Sequence, residues 1–332
     1  MTGFARLTMV FSLLCPAVGL AQETSGATEA WTPPRLADGQ PDRGGIWNSV
    51  AATHTPLELP EALVDRDSFS AEDLQALVDE RAELRGDGTQ WSRPEDSQRV
   101  NEGDLAYAPY WFDTFWSEPV AGDAPALVVD PPTGRLPDWT SYTKELLRST
   151  RDHLHDSYGY MESGDRCITR GVLGMMMPTA YNNGTLILQT PGYVVLHSEM
   201  IHNARIIPID TPVPAGPRPP LWDGDPRGRW EDNTLVVEST GFRPVGSIRG
   251  PSALIRSRQT ERQRVVERFT FVDPETLHYS LTIDDPDAYT APWTVAFPMT
   301  RDDDYVQFEY ACHEGNYSVP NALRGARALE QP

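Results

Sequence analysis

The stretch that decides the fold is RVVERFTFVDPETLHYSLTI, residues 264–283. Two runs typical of strands, Arg264 to Phe271 and Leu277 to Ile283, flank Asp273-Pro274-Glu275, which carries turn residues. The segment therefore predicts a β-hairpin, in which the two runs pair as antiparallel strands.

Three further hairpins are predicted by the same pattern. They pair Thr185 to Gln189 with Tyr193 to Ile209, Arg229 to Glu231 with Thr234 to Ser239, and Trp293 to Thr300 with Tyr305 to Cys312. Four hairpins make about eight antiparallel strands, which predicts a mainly β fold. We favour an up-and-down barrel over a sandwich. Sequential hairpins close into a meander, and only residues 210–228 and 240–263 are long enough for the crossovers that a sandwich needs.

The region before these hairpins predicts a first strand and a partly helical extension, residues 45–165. Gly45 to Asn48 reads as the strand. Ser70 and Asp73 approximate a capping box that opens a helix ending near Gly86, and a second helix is expected from Ser141 to Arg151. The extension forms either a lid over the barrel or a separate lobe. We assign residues 166–320 to the barrel and residues 321–332 to a C-terminal tail.

An aromatic cluster within the extension is a candidate ligand contact. Six aromatic residues fall between Asp104 and Trp116, among them Tyr110, Trp111 and Phe115. Such a cluster either plugs one end of the core or stacks against a ligand.

The N-terminus predicts export. Residues 1–21 combine Arg6, an apolar run over 7–20 and a small residue at Ala21, as a signal peptide does, and residues 22–44 resemble a flexible leader. We therefore expect a secreted or periplasmic protein. Cleavage would leave two cysteines, Cys167 and Cys312, which form either one disulfide or two buried thiols.

The charge and the motif content of the sequence argue against several classes of partner. The chain has 28 Lys and Arg residues against 48 Asp and Glu, a formal net charge of −20 at pH 7. Nucleic acids and anionic membranes need a cationic surface, so we expect no nucleic-acid partner. The apolar run at the N-terminus is short and contains Pro16, so we expect no stable membrane insertion.

P-loop, Rossmann and Gly-x-Ser-x-Gly motifs are missing from the sequence, and we expect no cofactor.

The segment from His197 to Arg205 is richest in residues that carry chemistry. Strand alternation puts His197, Glu199 and Arg205 on one face and His202 on the other, among apolar neighbours. If that second face points inward, His202 is an ionisable group in an apolar cavity, suited to acid-base catalysis. The alternative is structural: His202 is hydrogen-bonded in the core and Glu199 pairs with Arg205. No zinc site is indicated, because His197 and His202 lie on opposite faces.

The last predicted strand ends near a second candidate group. Tyr310 is expected to contact a ligand, and His313 follows at the strand end, where a barrel mouth would lie. His313 could take part in proton transfer or be an ordinary loop histidine.

Several stretches together carry a resemblance to a known family. They are Gly45-Ile46-Trp47, Asp165-Arg166-Cys167, Gln189 to Val195, Gly228 to Phe242 and Glu309 to Asn316. The first is similar to the Gly-x-Trp that opens lipocalin-like barrels. The others resemble a widespread, functionally uncharacterised family of secreted bacterial proteins. The resemblance implies a lipocalin-like fold and transfers no catalytic residue.

Two functions follow as hypotheses. The first is a barrel that binds a small, mostly apolar molecule in its cavity. The second is a cofactor-independent acid-base enzyme, a lyase, hydratase, isomerase or hydrolase, that acts on such a molecule in the same cavity. In that case Glu199, His202 or His313 would transfer protons and Arg205 would stabilise an anionic intermediate. The sequence leaves the ligand and the oligomeric state open.

Overall fold

The computed structural model describes residues 31–66, 68–85, 122, 124–212, 218–244, 247–249 and 256–330. The elements below belong to one unit, Thr32–Pro332. The strands in these residues are β1 Gly45–Asn48, β2 Val128–Asp130, β3 Gly184–Thr190, β4 Tyr193–Ser198, β5 Asn203–Pro208, β6 Asp225–Glu231, β7 Thr234–Thr240, β8 Ser247–Arg249, β9 Arg256–Arg258, β10 Arg264–Phe271, β11 Thr276–Asp284 and β12 Trp293–Arg301. The α-helices are α1 Ala71–Arg85, α2 Ser141–Asp152, α3 Gly171–Met176 and α4 Ser318–Leu329.

Nine of these strands form a nearly closed antiparallel barrel. Their order around the sheet is β5-β4-β3-β1-β12-β11-β10-β7-β6. A bridge between Ile209 and Gly228 brings the β5 end of the sheet to the β6 end. Gly228 permits this approach, because an added Cβ would lie 2.6 Å from Cδ1 of Ile209. The architecture confirms the prediction of a mainly β, antiparallel barrel.

Large side chains fill the barrel interior. Every second residue of β10, β11 and β12 is buried, as expected when one face of a strand lines the core. Aromatic rings are prominent in this core, with Phe269 and Phe297 both within 5.2 Å of Tyr279, centroid to centroid. Trp47 and Trp293 are fully buried as well.

Local sequence patterns predicted several elements correctly, among them α1, α2 and the hairpin of residues 264–283. The Ser70 hydroxyl accepts the Asp73 N–H, and the Asp73 carboxylate accepts the Ser70 N–H, so the capping box that opens α1 is confirmed. Helix α2 begins at Ser141 as predicted, after the Thr140 side chain accepts the Thr143 N–H. The predicted hairpin of residues 264–283 is β10 paired with β11.

The single long strand expected from residue 193 to residue 209 is wrong. Residues 199–202 turn the chain back, so that β4 and β5 pair as a hairpin with Ser198 opposite Asn203. Ile201 and His202 adopt left-handed backbone angles, with φ of 60° and 41°. A branched residue such as Ile201 is unusual in that conformation, so nothing in the sequence marked the turn.

The last predicted strand, Tyr305 to Cys312, is also wrong. Those residues form an irregular segment that follows β12. The second edge of β12 is already paired with β2 and β1, so no edge is left for a returning strand.

Three features of the structure bear on the expected domain boundaries. Strands β1 and β2, which precede residue 166, belong to the same sheet as the later strands. Residues 35–43 are not a loose leader, since Gln40 accepts a hydrogen bond from Trp230 and Gln189 donates one to the Pro41 carbonyl. Residues 318–329 of the tail region form α4. Within the described residues, no helix has the length and apolar content needed to cross a bilayer.

Candidate functional site

Three of the predicted site residues meet where the turn between β4 and β5 contacts the segment after β12. The turn, residues 199–202, holds Glu199 and His202, and the segment contributes Tyr310. Helix α3 is buried along its whole length. The Ser198 hydroxyl donates to the carbonyl of Met175 in α3, which ties the end of β4 to the helix.

His202 lies at the surface and not in an apolar cavity. Its Nδ1 is 2.7 Å from the Tyr310 carbonyl oxygen, and the side chain is exposed. A proton on Nδ1 would make that contact a hydrogen bond and leave Nε2 with its lone pair. The inward orientation considered from the sequence fails because the chain turns at residues 199–202.

Glu199 is fully buried and serves as an anchor for the segment after β12. Its carboxylate accepts hydrogen bonds from the Tyr305 hydroxyl at 2.5 Å, the Asn182 amide at 2.8 Å and the Phe308 N–H at 3.0 Å. Three donors satisfy a buried carboxylate well, so Glu199 acts as a structural anchor that holds this segment against the barrel.

Arg205 points into the barrel and pairs with Glu267, not with Glu199. Its two terminal nitrogens lie 2.9 and 2.5 Å from the two carboxylate oxygens of Glu267, and the Tyr279 hydroxyl donates to the same carboxylate at 2.9 Å. Burial lowers the pKa of Arg205, but the charge and hydrogen bonds of Glu267 outweigh it and raise that pKa above its ordinary value. Arg205 is therefore a buried, paired cation, held away from the turn at residues 199–202.

The predicted disulfide between Cys167 and Cys312 is present. It joins the loop before α3 to the segment after β12, with the two Cα atoms 5.6 Å apart. The Asn316 amide donates to the Asp165 carbonyl and reinforces this contact. His313 follows Cys312 directly and is exposed.

The predicted aromatic contacts divide into two cases. Tyr110, Trp111 and Phe115 lie outside the described residues. Tyr310 is half-buried and its ring stacks parallel to Tyr181, at 6.5 Å between centroids. In the part of the chain that the structure describes, no three His, Cys, Asp or Glu side chains come together as metal ligands would.

A cleft that the sequence did not predict lies on the outer face of the barrel. It measures about 160 Å³, and its walls are mostly apolar, with Ala124, Ala126, Leu127, Val129, Ala296 and Pro298 among them. Thr55, Thr270, His278 and Ser280 add polar groups. Strand alternation could have placed His278 and Ser280 on one outward face. Only the fold brings residues 124–129 beside that face as part of the cleft lining.

Backbone hydrogen bonds fix one wall of the cleft to the barrel. The Ala296 N–H donates to the Leu127 carbonyl at 2.8 Å, and the Leu127 N–H donates to the Pro56 carbonyl at 2.8 Å. Strand β2 continues this contact by pairing with β12. One wall of the cleft is therefore part of the hydrogen-bonded sheet.

No family model, curated protein or solved structure matches this chain. The case for a function therefore rests on the geometry described above.

Proposed function

We propose that the protein is an exported, lipocalin-like barrel that binds a small, mostly apolar molecule in a cleft on its outer face, and not inside the barrel as expected from the sequence. The supporting observation is the cleft of about 160 Å³ between residues 124–129 and the outer face of β11 and β12. Apolar walls with a few polar groups are the usual composition of a ligand site, because burial supplies affinity and the polar groups set orientation.

The size of the cleft limits the ligand. An apolar cavity of about 150 Å³ holds a molecule such as benzene. A single-ring compound or a short branched chain is therefore the expected ligand, and one hydroxyl or carbonyl on it would reach His278 or Ser280.

The proposed location depends on two features. The signal-like sequence of residues 1–21 supports export. The disulfide between Cys167 and Cys312 supports an oxidising compartment, since disulfides are rare in reducing ones.

An acid-base enzyme has less support from the same structure. The Glu199 carboxylate is engaged by three donors, and His202 is exposed beside the Tyr310 carbonyl. Neither residue lines the cleft.

The direct test is to measure the binding of two single-ring probes, phenol and 4-methylphenol, by saturation-transfer NMR. The substitution Ala296→Phe places a ring inside the cleft and should reduce affinity by about tenfold or more. The control is Ala204→Phe on the exposed face of β5, which is outside the cleft and should leave affinity unchanged. Equal affinities for the wild type and both variants would contradict the proposal, as would the absence of saturable binding.

A further inference from the structure

We propose that Arg166, Trp222 and Arg243 form a second site, which binds the carboxylate of a small organic acid. The guanidinium carbons of Arg166 and Arg243 lie 5.6 and 5.0 Å from the centroid of the Trp222 ring. Arg166 also lies 5.1 Å from the ring of Tyr158. Two cations thus contact one aromatic ring.

In the described part of the chain the two arginines have no carboxylate partner, as is also true of the exposed Arg35 and Arg324. Among the described residues, neither guanidinium forms a salt bridge, although the chain has 48 acidic residues against 28 basic ones. Arginines on the barrel wall are paired, as Arg264 is with Glu238 and Arg268 with Glu231. An anion from solution would supply the missing countercharge.

The site is held in place by the backbone around it. Gln259 is buried, and its amide donates to the Trp222 carbonyl at 2.7 Å and to the Arg243 carbonyl at 3.1 Å. The Arg243 N–H donates to the Leu221 carbonyl at 2.7 Å. Arg166 precedes Cys167, which the disulfide fixes. A rigid backbone lowers the entropy cost of binding.

The chemistry of the site points to a monocarboxylate. A guanidinium presents parallel N–H groups that match the two oxygens of a carboxylate or phosphate. The net charge of −20 opposes every anion, and it opposes a doubly charged phosphate more than a singly charged carboxylate. The ring of Trp222, and Tyr158 with 61% of its surface exposed, offer an aromatic surface to the rest of the ligand. The expected ligand is a singly charged aromatic or apolar acid.

The experiment is a titration of the mature protein with benzoate, benzamide and inorganic phosphate. Binding is followed by NMR at the Trp222 indole N–H, which is assigned with the variant Trp222→Phe. Benzoate should shift that signal saturably with a Kd of about 1 mM, and neutral benzamide should bind at least about tenfold more weakly.

Three variants separate this site from nonspecific effects. Arg166→Gln and Arg243→Gln should each weaken benzoate binding by about fivefold or more. The control, Arg324→Gln, changes an exposed arginine of α4 and should have no effect. Arg243 is exposed, so its variant stays informative if Arg166→Gln fails to fold.

Four results would overturn the assignment. They are the absence of a saturable shift below about 50 mM benzoate, equal binding of benzoate and benzamide, tighter binding of phosphate than of benzoate, and an Arg243→Gln variant that binds as the wild type does. Because the site shares no residue with the cleft on the outer face of the barrel, these results leave the test with Ala296→Phe unaffected.

Discussion

The guanidinium of Arg205 on β5 forms a two-point ion pair with the carboxylate of Glu267 on β10 inside the barrel. Strands β6 and β7 lie between β5 and β10 around the wall. The pair therefore links strands that share no backbone ladder. Tyr279 on β11 donates to the same carboxylate, so three strands meet at one polar cluster in an otherwise apolar interior.

Breaking this ion pair should destabilise the fold. Glu267→Gln removes the charge that compensates buried Arg205, and we expect a loss of about 3–5 kcal/mol in the free energy of unfolding, measured with urea. Replacing the whole polar cluster, as Arg205→Met with Glu267→Leu and Tyr279→Phe, should recover most of that loss, because no buried polar group is then left unpaired. The matched control is Arg264→Gln, which breaks an exposed pair with Glu238 and should cost about 1 kcal/mol or less. Equal losses in the Glu267 and Arg264 variants would contradict this account.

Tyr279 should make the protein sensitive to alkali. Burial, followed by the nearby charge of Glu267, raises the pKa of its hydroxyl well above the ordinary value. The unfolded chain releases this proton near pH 10 while the folded chain keeps it. Stability from this group is thus complete below about pH 10 and falls as pH rises further, by up to about 1.4 kcal/mol per pH unit.

The variant Tyr279→Phe tests that pH dependence. It should lose about 1.5–3 kcal/mol at neutral pH, because a hydrogen bond to a charged acceptor disappears. Its urea-unfolding free energy should then fall less steeply than that of the wild type above pH 10. The interpretation would be refuted by parallel pH profiles for the two proteins.

Loss of the disulfide should weaken the whole fold. The bridge spans 145 residues of sequence, and its removal in the double variant Cys167→Ser, Cys312→Ser should cost roughly 4–5 kcal/mol by the chain-entropy estimate. Thermal unfolding with and without a reductant gives an independent measure. A melting temperature that is the same in both conditions would show that the bridge adds no stability.

Glu199→Gln should loosen the segment after β12 while the barrel stays intact. The neutral amide offers one acceptor oxygen in place of two charged ones, so the hydrogen bond with the Tyr305 hydroxyl must reverse and the N–H groups of Asn182 and Phe308 lose a charged acceptor. Hydrogen exchange at the Phe308 amide should become about tenfold faster, with no change in β10 and β11. Glu309→Gln, at an exposed position, is the control. Unchanged hydrogen exchange at the Phe308 amide would contradict the role of Glu199 as an anchor for this segment.

Short-range patterns predicted the barrel because its strands pair mostly with sequence neighbours. Asp232-Asn233 and Asp273-Pro274-Glu275 marked the turns of two hairpins that the structure contains. The cleft on the outer face of the barrel was harder to predict. His278 and Ser280 belong to a recognisable strand, but the wall opposite them comes from residues 124–129, about 150 residues earlier in the chain.

The sequence alone determined the antiparallel barrel, the hairpin of residues 264–283 and the pair of cysteines available for a bridge, because these depend on alternation, turn residues and residue counts. Tertiary structure decided which charges meet. Arg205 pairs with Glu267, 62 residues away, and Glu199 takes its donors from Asn182, Tyr305 and Phe308. Such pairs depend on how the sheet closes and on an unmarked turn at Ile201, and neither is encoded in a local pattern.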